Sequence, residues 1–315
     1  MTALEAPMTA RDALGLTPTD MSDALVGPPS IVPYARPGFG KTLQMAQCFS
    51  GALWVCTNKG TLRPYAHWCE TNREVVESLG LRTILAPNPA WTPKKAAKDP
   101  ALAAYLPQSR PYADGGMMIK VVPEFMPDNK TPVDNIDLIQ QIVYRFSDSR
   151  QKGTCPYTGI IFDEGTEFAR RIHKQTEKKF RSGFQMWSTL EDWLRWLFQV
   201  PRGANCMLGF ICHERAPKYQ EDEDKPRYGD LLHVGGPALP SRGIRSALTG
   251  MCDIVLHGII RDTLDGPQRI WQTQPKREWE SKLRGEGVDA ESTDDIATLL
   301  GTLGYDVPKS PFARP

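Results

Sequence analysis

The chain has no Cys-x-x-Cys pair, and its 7 cysteines are odd in number. The closest Cys/His neighbours, Cys212-His213, lack a second ligand pair at zinc spacing, which argues against a structural metal. Cys48, Cys56, Cys206 and Cys212 lie inside apolar runs and read as small core residues. That usage suits a reducing cytoplasm. No apolar run nears the ~20 residues that cross a bilayer. The first 28 residues carry Asp, Glu, Thr and Pro without the apolar segment of a signal peptide. Excess charge is missing too: 38 Lys+Arg against 37 Asp+Glu leave +1, so any contact with nucleic acid must be a local patch. What remains is 40% hydrophobic and 24% charged over 315 residues, an ordinary globular chain of one large or two small domains.

Against that background one stretch is specific. Ala35-Arg36-Pro37-Gly38-Phe39-Gly40-Lys41-Thr42 follows the apolar run from Ile31 to Tyr34 and leads into a helical pattern from Leu43 to Phe49. Strand, glycine-bearing loop, Lys-Thr and helix make the order of a phosphate-binding P-loop. Gly38 and Gly40 let backbone N–H groups turn inward around phosphate oxygens, and the helix start adds free N–H groups and a positive dipole end. Lys41 would reach the β- and γ-phosphates of a nucleotide, and the Thr42 hydroxyl would ligate Mg²⁺. The strict pattern opens on Gly, where this chain has Ala35.

Residues 1–28 read as a flexible arm and 29–285 as the main domain, with a short helix and tail over 286–315. Ala52–Thr57 reads as a buried strand, Leu62–Leu79 as a helix with Gly80 as its C-cap, and Arg82–Leu85 as a short strand. Residues 87–128, rich in Pro, Lys, Ala and Tyr, read as a long irregular insertion. Val133–Phe146 presents a helical face. Thr158–Phe162 is an apolar strand ending in Asp163-Glu164, the form of a Walker B element: Asp163 would assist the metal and Glu164 would orient the attacking water. Asn205–Cys212 is a further buried strand ending in His213, placed to sense a γ-phosphate. Arg215–Gly236, which includes Glu221-Asp222-Glu223-Asp224, reads as a mobile loop.

Between these strands, Arg170, Arg171, Lys174, Lys178, Lys179 and Arg181 form the densest basic run of the chain, set against Glu177. It reads either as a solvated helix face or as a contact for a phosphate backbone. Trp193 falls on a core-facing helical stripe with Leu190, Leu194 and Leu197, and Trp187 and Trp196 are candidates for core or for base stacking.

Taken in order, the P-loop, the Asp163 strand, the His213 strand, the Pro240–Val255 segment and Trp279 with Lys282 and Arg284 resemble the RecA-like core ATPases of phages. In particular they resemble the short group implicated in single-strand annealing and recombination. The resemblance covers roughly 30–285. It implies an α/β fold with a mostly parallel sheet flanked by helices. It also implies ATP hydrolysis with Mg²⁺, single-stranded DNA as partner, and a homo-oligomer with nucleotide at subunit interfaces. Lys282 and Arg284 would then act in trans, like arginine fingers. A DNA-packaging or helicase motor, and a non-catalytic nucleotide-binding switch or virion component, are the alternative readings.

Overall fold

The computed structural model describes residues 28–57, 60–83, 118–122, 124, 132–155, 157–180, 183–219, 231–283, 287–305 and 307. The arm over 1–27 and the acidic run at 221–224 lie outside them.

The strands in chain order are β1 (Ser30–Ala35), β2 (Leu53–Cys56), β3 (Met118–Val121), β4 (Gly159–Asp163), β5 (Met207–Phe210), β6 (Cys212–Arg215), β7 (Lys218–Tyr219), β8 (Leu231–His233), β9 (Gly236–Pro237), β10 (Ile254–Thr263), β11 (Gly266–Gln272), β12 (Lys282–Leu283) and β13 (Glu291–Ser292). The helices are α1 (Lys41–Cys48), α2 (Arg63–Thr71), α3 (Arg73–Ser78), α4 (Asn135–Gln151), α5 (Gly165–Lys179), α6 (Gly183–Gly203), α7 (Arg242–Met251) and α8 (Ile296–Thr302).

Short runs such as Leu53-Trp54-Val55-Cys56 and Gly159–Asp163 are buried along their whole length. Such runs suit parallel strands covered on both faces. They pair in parallel in the order β3-β2-β4-β5-β1-β10, and β11 and β13 continue antiparallel beyond β10. β6 prolongs β5 along the same side of β1 after an interruption at Ile211. Pro33, in mid-sheet but with no N–H to donate, falls in that interrupted part of the ladder. On one face α6 packs against α4, α5 and α7; on the other α1 packs against α2 and α8. The two hydrophobic clusters follow these faces.

Several expectations need correction. The stretch read as one helix over 62–79 breaks at Asn72 (φ −126°) into α2 and α3. The segment from 87 to 128 is not irregular throughout: Met118–Val121 is β3, parallel to β2, while residues 84–117, 123 and 125–131 lie outside the described residues. The Arg82–Leu85 strand reduces to an isolated bridge residue at Thr83, with 84 and 85 outside. Arg215–Gly236 is not a plain loop, since β6, β7, β8 and β9 occupy both its ends and β7 pairs antiparallel with β8. The short helix expected after residue 285 is present as α8, with Ile296, Leu299 and Leu300 buried beside α1. Among the described residues no helix is long and apolar enough to cross a membrane.

Candidate functional site

The carboxyl ends of the parallel strands gather the chemistry. β1 stops at Ala35, and the chain turns through Arg36–Gly40 into α1. Gly38 and Gly40 have φ of +82° and +99°, and a Cβ at either would meet nothing within 4 Å. Their requirement is therefore conformational, since only glycine takes that region cheaply. Ala35 sits opposite Gly258 of β10. A Cβ on Gly258 would come within 2.8 Å of the Ala35 methyl and 2.7 Å of the Phe39 ring. The space that a glycine at 35 would leave in the loop is thus provided by the glycine across the ladder. Phe39 is wedged edge-on against Trp271, with ring centres 4.6 Å apart.

Lys41 is buried, and its Nζ donates to the carbonyls of Ala35 (2.9 Å) and Arg36 (3.1 Å), at the centre of the loop. Burial draws its pKa down, opposed by nearby Cys212 and Asp163. The next side chain, Thr42, donates its hydroxyl to Asp163 Oδ1 at 3.2 Å. The Glu164 N–H also reaches this oxygen, at 3.0 Å. Asp163 Oδ2 is buried without a hydrogen-bond partner among the described residues. Burial pushes the Asp163 carboxyl up to about 7. An orphaned carboxylate oxygen beside a threonine hydroxyl, facing a phosphate loop, fits a nucleotide-bound Mg²⁺.

Glu164 occupies the left-handed region at φ 68°, ψ 46°, as the N-cap of α5. The turn is held because the Gly165 N–H donates to Ile211 O at 2.7 Å, and a Cβ on Gly165 would meet the Phe210 ring at 2.5 Å. A non-glycine residue in that conformation is strained, as is common at functional positions. The His213 N–H donates to Thr166 Oγ1 (3.0 Å), while its Nδ1 is buried without a partner. Burial and then the Lys41 charge lower its pKa, so the imidazole is neutral at pH 7. Glu164 and His213 line two adjoining cavities of about 440 and 340 Å³, the larger of which holds Gly38, Lys41 and Thr42.

Sequence reasoning missed several groups here. Glu214, just after His213, accepts from Arg36 Nε (2.8 Å) and faces His257 Nε2 (3.3 Å), tying the P-loop to β6 and β10. His257 is itself stacked between Tyr34 (4.8 Å) and Trp279 (4.0 Å). Arg269 of β11 lines the larger cavity. Isolated charged or aromatic letters so far apart in the chain carry no signal of such contacts. The Gly258–Ala35 pairing was equally invisible, although an Ala in place of the first loop glycine invites a search for it.

Half of the basic run, Arg170, Arg171 and Lys179, is paired with groups of the molecule itself. Arg171 is buried, donating to Glu167 (2.8 Å) and to Val122 O (2.8 Å). Arg170 pairs with Glu167 and Glu124, and Lys179 with Asp134 at 3.1 Å. Glu167, three residues before Arg170, was left out of the run's charge balance. The expectation that Arg171 faces a DNA backbone is corrected: its guanidinium is buried and held by Glu167 and the Val122 carbonyl, so it is not presented on the exposed face of α5. Lys174 and Lys178 are exposed, one turn apart on α5, and Arg181 lies outside the described residues. Lys282 pairs with Val255 at the amino end of β10, away from the P-loop, and its Nζ donates to Thr249 O (3.1 Å) and Gly250 O (3.0 Å) at the end of α7. In its own subunit it is a C-terminal helix cap; Arg284 lies outside the described residues. Trp187 stacks on His173 (4.7 Å) and Trp196 bonds Tyr144 (3.0 Å).

A glycine loop after a central strand, with β5 standing between that strand and the one that carries Asp163-Glu164, defines a P-loop nucleotide-binding ATPase domain of RecA-like fold. The sequence pattern of AAA_24, an AAA domain, matches residues 28–285, and the chain belongs to that family. No curated protein matches it in sequence. Among solved structures, a KaiC-like protein from the hyperthermophilic archaeon Pyrococcus horikoshii OT3 is similar at 13% identity over 83% of this chain and 88% of that one, with a loose TM-score of 0.35.

Proposed function

We propose that this protein binds ATP with Mg²⁺ and hydrolyses it. The observation that carries this is the meeting of Thr42 and Asp163 at 3.2 Å, with the Glu164 carboxylate beside them and the glycine loop above. Bound Mg²⁺, held by Thr42 and by Asp163 through water, would neutralise developing phosphate charge. The loop N–H groups and Lys41 hold the phosphates, Glu164 orients the attacking water, and neutral His213 offers a hydrogen bond to the terminal phosphate. The work is positioning and charge neutralisation, so Lys41→Ala should abolish turnover while the far-ultraviolet circular dichroism stays native. Unchanged ATP turnover in that variant would sink the assignment.

We propose further that the ATPase assembles as a homo-oligomer on single-stranded DNA, a reading supported by Lys174 and Lys178 together with the family resemblance. A rise in ATP hydrolysis on adding single-stranded DNA tests it. Stimulation by duplex DNA alone would favour a translocating motor, and no hydrolysis with or without DNA would favour a nucleotide-binding switch.

A further inference from the structure

The phosphate machinery leaves part of the larger cavity unexplained. Beyond Lys41 and Thr42, its wall is built by Leu43 of α1, by Thr61 and Pro64 at the start of α2, and by Arg269 of β11. None of these belongs to the phosphate loop, yet a nucleotide held there must send its sugar and base somewhere. β11 is locked in place two residues further on. Trp271 meets Phe39 edge-on and donates its Nε1 to Gln44 Oε1 of α1 at 2.9 Å. Alternate residues of a strand share a face, so Arg269 stands on the same side as Trp271, next to the loop. Its guanidinium is exposed and makes no hydrogen bond or ion pair among the described residues. An unengaged planar cation facing Pro64 across a cavity that already holds a phosphate loop is a poor structural device and a good aromatic clamp.

We propose that Arg269 and Pro64 form the base subsite, with the Arg269 guanidinium stacked on the purine ring in cis. This rests on the reading of the loop as an ATP site and adds a specificity-determining residue to it. A stacking arginine acts on the base and leaves the phosphates alone, so two probes separate its role from that of Lys41. Arg269→Ala should weaken ATP binding about tenfold, in line with stacking contributions of this kind, and leave binding of inorganic tripolyphosphate with Mg²⁺ unchanged. Arg269→Lys, which keeps the charge and loses the plane, should behave like the alanine variant. Equal weakening of ATP and tripolyphosphate would overturn the proposal by making Arg269 a phosphate ligand, as would ATP affinity unaffected in both variants. Lys41→Ala should lose both probes. If it keeps both, the ATP-site reading itself fails, a result distinct from any failure at Arg269.

Discussion

Thr42 and Asp163, 121 positions apart in the chain, meet at 3.2 Å in the folded protein. β1, through the loop that follows it, and β4 each deliver one partner to the same end of the sheet, although β5 lies between them. The hydroxyl sits in the first turn of α1 and the carboxylate at the last residue of β4. Nothing but the parallel topology brings them together.

Asp163 makes stability depend on pH. In the metal-free protein, burial raises its carboxyl from 3.8 to about 7. A carboxyl whose pKa rises on folding holds its proton more tightly in the folded state. Its contribution is therefore fully present below pH 3.8 and lost as pH climbs through about 7. Urea melts of Asp163→Asn should match those of the wild type at acid pH. At pH 8 the variant should be more stable by up to about 4 kcal/mol. An identical pH profile in the two proteins would refute the assignment.

Glu164 should trade stability against activity. Its φ of 68° costs about 1 kcal/mol for a non-glycine residue. Glu164→Gly should raise stability by about that amount and lower ATP turnover by at least ~100-fold. Glu164→Gln should lose turnover with no gain in stability. Thermal melts beside steady-state turnover decide it, and an active Glu164→Gly would remove the carboxylate from the mechanism.

The two halves of the basic run should separate. Arg171→Ala removes one donor from Glu167, which Arg170 still contacts, and the guanidinium bond to the Val122 carbonyl, and should destabilise the fold by about 2 kcal/mol. Reversal of Lys174 and Lys178 to Glu should leave stability nearly untouched, weaken binding to single-stranded DNA and flatten its salt dependence. Unchanged DNA binding in the double reversal would return α5 to a solvated face.

Lys282 caps α7 through the carbonyls of Thr249 and Gly250. Lys282→Met should cost about 1 kcal/mol as a lost helix-end contact. If Lys282 also acts across a subunit interface, turnover per subunit will fall in the variant even where thermal melts show the fold intact. Full turnover at high protein concentration would confine it to capping.

The residues from Ala35 to Thr42 determined the phosphate loop by themselves, because glycine dihedrals, a helix start and a Lys-Thr pair act within one turn of chain. The buried strands read at Ala52–Thr57, Thr158–Asp163 and Asn205–Cys212 were legible in outline, since short continuous apolar runs suit a sheet covered on both sides. Charge partners were not. Arg171 looked like a surface cation until Glu167 and the Val122 carbonyl closed around it, and β3 lay hidden in a stretch rich in Pro and Lys. The substitution at Ala35 was settled by Gly258, which lies beside it only because β1 and β10 pair in register. Local conformation is written in neighbouring residues. Which distant groups bury one another, as Arg171 and the Val122 carbonyl do, depends on strand order and register, and the tertiary structure alone decided that.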